Sequence, residues 1–285
     1  MKIECVVDAH AQVGEGPVWD GADGVLWWTD INGRLMHRFD PKGGNDTAYE
    51  LPFRVGCFAL REKGGFVLAA EHGFWFWKPG SEPEHVLDVE ADRADNRMND
   101  GGCDRQGRLF GSSMNLAADK KPTGAVWRLN ADLSVEKVAD GLHIGNGIAF
   151  SPAGDRFYLA DTTVDTVWAH DYDTAGRVGE RQVFASTETL AGKPDGATVD
   201  AEGGYWLAGV MGGQLYRFLP SGELDVTIDM PTTKPTRPMF GGAGLDELYV
   251  TSIGSNAAAN DPQAGGLFRI TGLGFTGLPE PRFAG

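Results

Sequence analysis

A chain of 285 residues with a formal net charge of −15 is a poor partner for nucleic-acid phosphates or an anionic bilayer, since like charge repels both. Its 41 glycines follow no three-residue period, so they mark many tight turns, and hence many short strands. The three cysteines, Cys5, Cys57 and Cys103, are odd in number and lack CxxC spacing, which argues against a disulfide framework or a cysteine-rich zinc site and leaves reduced, buried thiols as the expectation.

The N-terminal stretch MKIECVVDAH has no long apolar segment of the secretion-signal kind. No apolar run further on reaches the length of a membrane span. A cytoplasmic location is therefore expected, and Asn45-Asp46-Thr47 reads as a polar turn rather than a glycosylation acceptor. Ile3–Val7 reads as a strand with no partner close to it in sequence. After it a unit recurs: a glycine-bearing turn, an apolar-aromatic strand, then a strand ending in a basic or aromatic residue.

The apolar-aromatic pairs come in order as Leu26-Trp27, Phe66-Val67, Leu109-Phe110, Phe157-Tyr158, Tyr205-Trp206 and Leu248-Tyr249. The turns before them are Gly21–Gly24, Glu62–Gly65, Asp104–Gly107, Ser151–Asp155, Asp200–Gly204 and Gly244–Glu247. A period of roughly 40–50 residues with about four short strands is that of a propeller blade. Six such units use nearly the whole chain, and no long amphipathic helical stretch separates them, which argues against a βα-barrel. The expected fold is all-β, a six-bladed β-propeller forming one domain over residues 1–285 with a central metal site. Ile3–Val7 is expected to pair in the last blade and close the ring, because an open ring leaves bare strand edges.

The repeat allows positions to be compared within the chain. Ten or eleven residues before the aromatic pair stand Glu15, Asn99, Asn146 and Asp195 in units one, three, four and five, and the same count reaches Val55 and Arg237 in the other two. Each of the four precedes Gly, or Asp then Gly. The first strand of a blade lines the central channel, so residues just before it gather at one mouth. A single Asn-Gly or Asp-Gly is an ordinary turn. Four oxygen-bearing side chains in register are expected instead to converge on a cation, since buried carboxylates repel one another without one. Oxygen donors suit a hard ion such as Ca²⁺, Mg²⁺ or Mn²⁺; Zn²⁺ more often takes His or Cys.

Five segments, Gly14-Glu15-Gly16-Pro17-Val18-Trp19, Asn96-Arg97-Met98-Asn99-Asp100-Gly101, Asn146-Gly147, Pro194-Asp195-Gly196 and Phe240-Gly241-Gly242, carry a resemblance that spans essentially the whole chain. In this order and spacing the sequence resembles the gluconolactonase and senescence-marker-protein (regucalcin-like) family. The resemblance implies that Glu15, Asn146 and Asp195 bind one divalent metal, Ca most readily, with Mg, Mn, Zn or Fe as alternatives. It implies that Asn99 touches substrate or a water of the metal's shell, that Arg97 holds the substrate's hydroxyls or ring oxygen, that Asp195 is also the general base, and that Asp100 supports the site from behind. Residues 115–123 fall where the family carries a lid; Asn115 and Lys120 within it receive no role.

The implied activity is metal-dependent hydrolysis of a small sugar lactone, an aldonolactone such as glucono-, xylono-, arabinono- or galactonolactone, to the aldonic acid. A metal-polarised carbonyl and a water deprotonated by Asp195 would carry it. Arg97, with a side-chain pKa above about 12, orients and stabilises charge. No GxSxG elbow is present, so water attack is expected over an acyl-enzyme. The rivals are an esterase or phosphotriesterase on the same scaffold, and a non-enzymatic metal-binding propeller. Nothing in the sequence sets the oligomeric state; a monomer suffices. Trp19, close to Glu15, is a candidate for shaping the pocket. His72 and His143 are expected near the channel mouth as hydrogen-bonded structural residues. Gly241–Gly244 precedes a strand and reads as a turn, not a phosphate loop.

Overall fold

Twenty-four strands and no helix make up the computed structural model, which describes residues 1–285. The chain opens with β1 (Lys2–Val7). Blade one is β2 (Gly14–Asp20), β3 (Val25–Asp30), β4 (Leu35–Asp40) and β5 (Asn45–Glu50); blade two is β6 (Val55–Leu60), β7 (Phe66–Ala70), β8 (Gly73–Trp77) and β9 (Glu84–Asp88). Blade three is β10 (Asn96–Cys103), β11 (Leu109–Asn115), β12 (Gly124–Leu129) and β13 (Val135–Leu142). Blade four is β14 (Gly145–Phe150), β15 (Arg156–Asp161), β16 (Thr166–Tyr172) and β17 (Val178–Ser186). Blade five is β18 (Lys193–Val199), β19 (Tyr205–Val210), β20 (Gln214–Phe218) and β21 (Leu224–Asp229). Blade six is β22 (Pro235–Gly241), β23 (Glu247–Ser252) and β24 (Leu267–Thr271), completed by β1.

Burial explains the order of strands within a blade. Second strands such as β3 (VLWWTD) and β7 (FVLAA) are buried along their whole length, sandwiched between neighbouring blades, and so read as continuous apolar runs. Outer strands such as β5 and β17 are largely exposed and polar. The core lies between blades: Trp27 and Met36 of blade one pack with Phe58, Phe66, Leu68 and Trp77 of blade two. Antiparallel pairing of Ile3 with Ile270 and Cys5 with Phe268 closes the ring as expected, so blade six takes its outer strand from the N-terminus. All three cysteines are free, Cys57 and Cys103 fully buried and Cys5 half-buried.

Three features differ from expectation or were absent from it. Asn45-Asp46-Thr47 is not a turn but the start of β5. Asp46 there accepts hydrogen bonds from Trp28 Nε1 at 3.3 Å and His37 Nδ1 at 2.6 Å. Trp19 sits at the far end of β2 from Glu15, stacked on Tyr249 at 5.8 Å between ring centroids, and shapes no part of the site. Finally, the chain beyond β24 returns across that same far face. Phe275 meets Trp206 edge-on, and Phe283 is fully buried among Cys57, Val67, Cys103 and Leu109. Phe283 N donates to Leu60 O at 2.7 Å, and Ala284 N to Gly107 O at 3.0 Å. Between these anchors Glu280 lines, with Gly102, Ile148, Ala197 and Arg237, a cavity of about 20 Å³, room for a single water. The channel is thus nearly filled on this side.

A candidate metal centre at the channel mouth

Each innermost strand breaks register at the same height. The shifts fall between Glu15 and Val18, Val55 and Cys57, Met98 and Gly101, Asn146 and Ala149, Pro194 and Ala197, and Pro235 and Pro238. A bulge bends a strand and re-aims the side chain beside it. Glu15, Asn99, Asn146 and Asp195 therefore stand inside their strands rather than just before them, which corrects the sequence reading. The Gly that follows is a bulge residue, not a turn residue. Gly16 and Gly147 have φ of +52° and +63°, and a Cβ on Gly147 would lie 2.5 Å from Tyr205 Oη.

All four side chains are buried, at 7%, 7%, 3% and 6% exposure. Thr162 Oγ1 donates its single proton to Pro194 O at 2.8 Å, so it must accept from Asn146 Nδ2, also at 2.8 Å. That leaves Asn146 Oδ1 on the other side of the amide, where Asn99 Nδ2 meets it at 3.1 Å. Asn99 is fixed by the same logic: Arg97 Nη1 donates to its Oδ1 at 2.7 Å, and its Nδ2 also donates to Gly145 O at 3.0 Å. Asn99 thus turns nitrogen, not oxygen, toward Asn146.

The two carboxylates are poorly matched by the protein. Glu15 accepts from Gly16 N at 3.0 Å, and neither Glu15 nor Asp195 has an ion-pair partner. Burial raises the pKa of Glu15 to about 8, with the charge of Asp100 adding to the rise. Burial, then the charge of Glu15, lifts Asp195 well above the usual carboxylate range. Two carboxylates that hinder each other's ionisation beside a fixed amide oxygen fit a hard cation. No three His, Cys, Asp and Glu groups are placed to hold a metal ion by themselves. The third donor here is an amide, which suits oxygen-preferring ions over Zn²⁺.

Asp100 and Arg237 lie behind this set. Asp100 Oδ2 accepts from Ile148 N at 2.8 Å, and its Oδ1 pairs with Arg237 Nη1, which also reaches Gly101 O at 2.5 Å. Both side chains are buried. The repeat count reaches Arg237, but no local signal assigns it a task, because its partner Asp100 lies three blades away. Arg97 is buried and donates through Nη1 alone, to Met98 O and Asn99 Oδ1. Burial, followed by the charge of Arg54, lowers its pKa to about 10.

The expected lid is the loop from β11 to β12. Asn115 is its buried base, bonded to Asn96 Oδ1 at 3.3 Å and Thr123 Oγ1 at 2.9 Å, and Lys120 Nζ folds back to Asn115 O at 3.2 Å. His143 Nδ1 bonds Asp161 Oδ2 at 3.0 Å, the structural role anticipated for it. His72 departs from the expectation: its Nδ1 is buried without a hydrogen-bond partner, and only its backbone O bonds, accepting from Val89 N and Glu90 N. Gly241–Gly244 lies at the β22–β23 turn, as expected. A groove of about 760 Å³ between Trp19, Lys42, Arg269 and Arg282 is on the far face and contains none of Glu15, Arg97, Asn99, Asp100, Asn146 and Asp195.

The family described as SMP-30/Gluconolactonase/LRE-like region matches residues 13–254. The chain is 34% identical to 6-deoxy-6-sulfogluconolactonase of Pseudomonas putida, over 99% of each chain. It is 34% identical to L-arabinolactonase of Azospirillum brasilense, over 98% of this chain and 95% of that one. Among solved structures, a calcium-binding protein, regucalcin, from Agrobacterium tumefaciens superposes with a TM-score of 0.92 at 27% identity, covering 98% of this chain and 96% of the other.

Proposed function

The chain belongs to the SMP-30/gluconolactonase/LRE-like family, and from that premise we propose that it is a sugar lactonase whose channel mouth holds one divalent cation between Glu15, Asn146 and Asp195. Two relatives named as lactonases, similar over nearly their whole length, support the activity. The observation that carries the site is the pair of buried, uncompensated carboxylates beside the fixed amide oxygen of Asn146. Calcium is favoured by the oxygen donors and by the calcium-binding description of the Agrobacterium relative; Mg, Mn, Zn or Fe are the alternatives.

When bound, such an ion supplies positive charge against the oxyanion that develops as a lactone carbonyl is attacked. The remaining chemistry falls to the chain. Asp195 accepts the proton of the attacking water. The water oxygen bonds to the carbonyl carbon, the ring C–O bond breaks, and a proton returns to the leaving ring oxygen to give the aldonic acid. Arg97, with guanidinium N–H groups left over from its protein contacts, orients the sugar and stabilises charge without itself losing a proton. Asn99, tied to both Arg97 and Asn146, sets the spacing between substrate and ion. Asp100 fixes the strand behind them.

The test separates base from ligand. Asp195→Asn is expected to lower kcat by about 10³-fold or more even at saturating metal, while Glu15→Gln mainly raises the metal concentration needed for half-maximal rate. Substantial turnover by Asp195→Asn at saturating metal contradicts the assignment of the base.

A further inference from the structure

The charges around the site leave a remainder. Asp100 and Arg237 match each other, as do Glu71 and Arg54 through a two-point contact at 3.0 and 2.8 Å. On the proposed reading a divalent cation matches Glu15 and Asp195. Two cations are left over, Arg97 and Lys120. Arg97 meets only neutral acceptors, Met98 O and Asn99 Oδ1, and its Nε and Nη2 make no bond to the protein. Lys120 meets only Asn115 O; the nearby Asp119 turns to Lys121 instead, at 4.0 Å.

Their proximity is built into the fold. Asn96 pairs with Asn115 and Arg97 with Met114 across the β10–β11 ladder, so the carbonyl that receives the Lys120 ammonium lies one residue from the rung that carries Arg97. Leu116 N, bonded to Asp95 O at 2.6 Å, fastens the loop to the same place. Lys120 itself is half-buried with φ +42°, held back over the strand end rather than extended into solvent. After burial, the charge of Arg97 is what lowers the Lys120 pKa.

In a chain of net charge −15, two mutually repelling, partly desolvated cations that no carboxylate touches mirror the argument for the metal, with the sign reversed. We propose that Arg97 and Lys120 form an anion subsite, and that the lactone this protein opens carries an anionic substituent (phosphate, sulfonate or carboxylate) on the exocyclic end of the sugar, on the ring-oxygen side of the ester. The inference rests on the lactonase reading and narrows it to a substrate class. Lys120 supplies specificity, and the unbonded Nε and Nη2 of Arg97 serve the ring oxygen and the substituent beside it.

The experiment compares kcat/KM of the calcium-loaded protein on glucono-1,5-lactone, its 6-phosphate, its 6-deoxy-6-sulfonate and a glucarolactone, for wild type, Lys120→Met and Lys120→Arg. At least one anionic lactone is expected to exceed the neutral one by about tenfold or more, with the advantage shrinking as salt is raised. The best of the three identifies the substituent. Lys120→Met is expected to lose about tenfold more on that lactone than on the neutral one, and Lys120→Arg to recover most of the difference. A neutral lactone handled as well as every anionic one, or equal losses on both in Lys120→Met, overturns the subsite and leaves the lactonase reading standing. No turnover of any lactone overturns both.

Discussion

At the residue scale, the least expected partnership is the buried ion pair of Asp100 with Arg237. Both charges are felt at Glu15: Asp100 raises its pKa and Arg237 lowers it. Replacing Asp100 by Asn removes a negative charge and leaves a buried guanidinium that does not readily give up its proton. Calcium affinity, measured by titration calorimetry, is expected to fall about 10–100-fold in Asp100→Asn. The double variant Asp100→Asn/Arg237→Met restores neutrality and is expected to bind severalfold tighter than Asp100→Asn alone. A double variant no better than Asp100→Asn contradicts this electrostatic account. The four in-register residues were legible in the sequence because the repeat supplies its own comparison. Arg237 was not, since nothing in local sequence shows that a strand in blade six reaches a carboxylate in blade three. Trp19 misled for a related reason: four residues along a strand are enough to carry a side chain to the other face of the ring.

At the element scale, the strands that carry the proposed ligands are held by carboxylates and hydroxyls from their neighbours. Asp30, ending β3, accepts from Gln12 N and Val13 N at 2.8 and 2.9 Å, just ahead of Glu15. Asp161, ending β15, does the same for His143 N at 2.8 Å and Ile144 N at 3.3 Å, just ahead of Asn146. Hydroxyls then tie one blade to the next: Ser112 Oγ to Gly145 O at 2.7 Å, Thr162 Oγ1 to Pro194 O at 2.8 Å, and Thr236 Oγ1 to Gly14 O at 2.6 Å. Asp161→Ala strips the acceptor from several buried or half-buried N–H groups. It is expected to cost at least about 2 kcal/mol of stability in denaturant unfolding and to weaken metal binding as well. Unchanged stability contradicts the anchoring role. Strand existence could be read from the apolar-aromatic runs. The bulges could not, because a bulge is a relation between two strands, and Asn-Gly has the same letters in a turn and in a bulge.

At the scale of the whole molecule, six repeats and one leftover strand were enough to anticipate a closed ring, because closure is the answer to an exposed edge. The C-terminal return across the far face was not anticipated. Its anchors are single residues such as Phe275 and Phe283, without the period of a blade. The ring gathers two carboxylates that prefer protons when no metal is present, and this gives the metal-free protein a pH dependence. For Glu15 the folded-state pKa of about 8 lies above the ordinary 4.5, so the folded state holds its proton more tightly than the unfolded chain. The resulting stability is full below about 4.5 and is lost progressively as pH rises toward about 8. The Tm of EDTA-treated protein is therefore expected to fall between pH 5 and pH 8, and added calcium to flatten or reverse the slope. A metal-free Tm that rises across that window contradicts the assignment of Glu15 as a buried, unpaired carboxylate.

On the proposed reading, a cation at Glu15, Asn146 and Asp195 enables lactone hydrolysis. This is tested most directly by following acid release from a panel of aldonolactones with EDTA-stripped protein, then with Ca²⁺, Mg²⁺, Mn²⁺, Zn²⁺ or Fe²⁺ restored singly. Rates at the spontaneous background are expected in EDTA, with turnover recovered by at least one ion, calcium foremost, if this reading holds. Equal hydrolysis with and without metal, or no hydrolysis of any lactone with any ion, contradicts it.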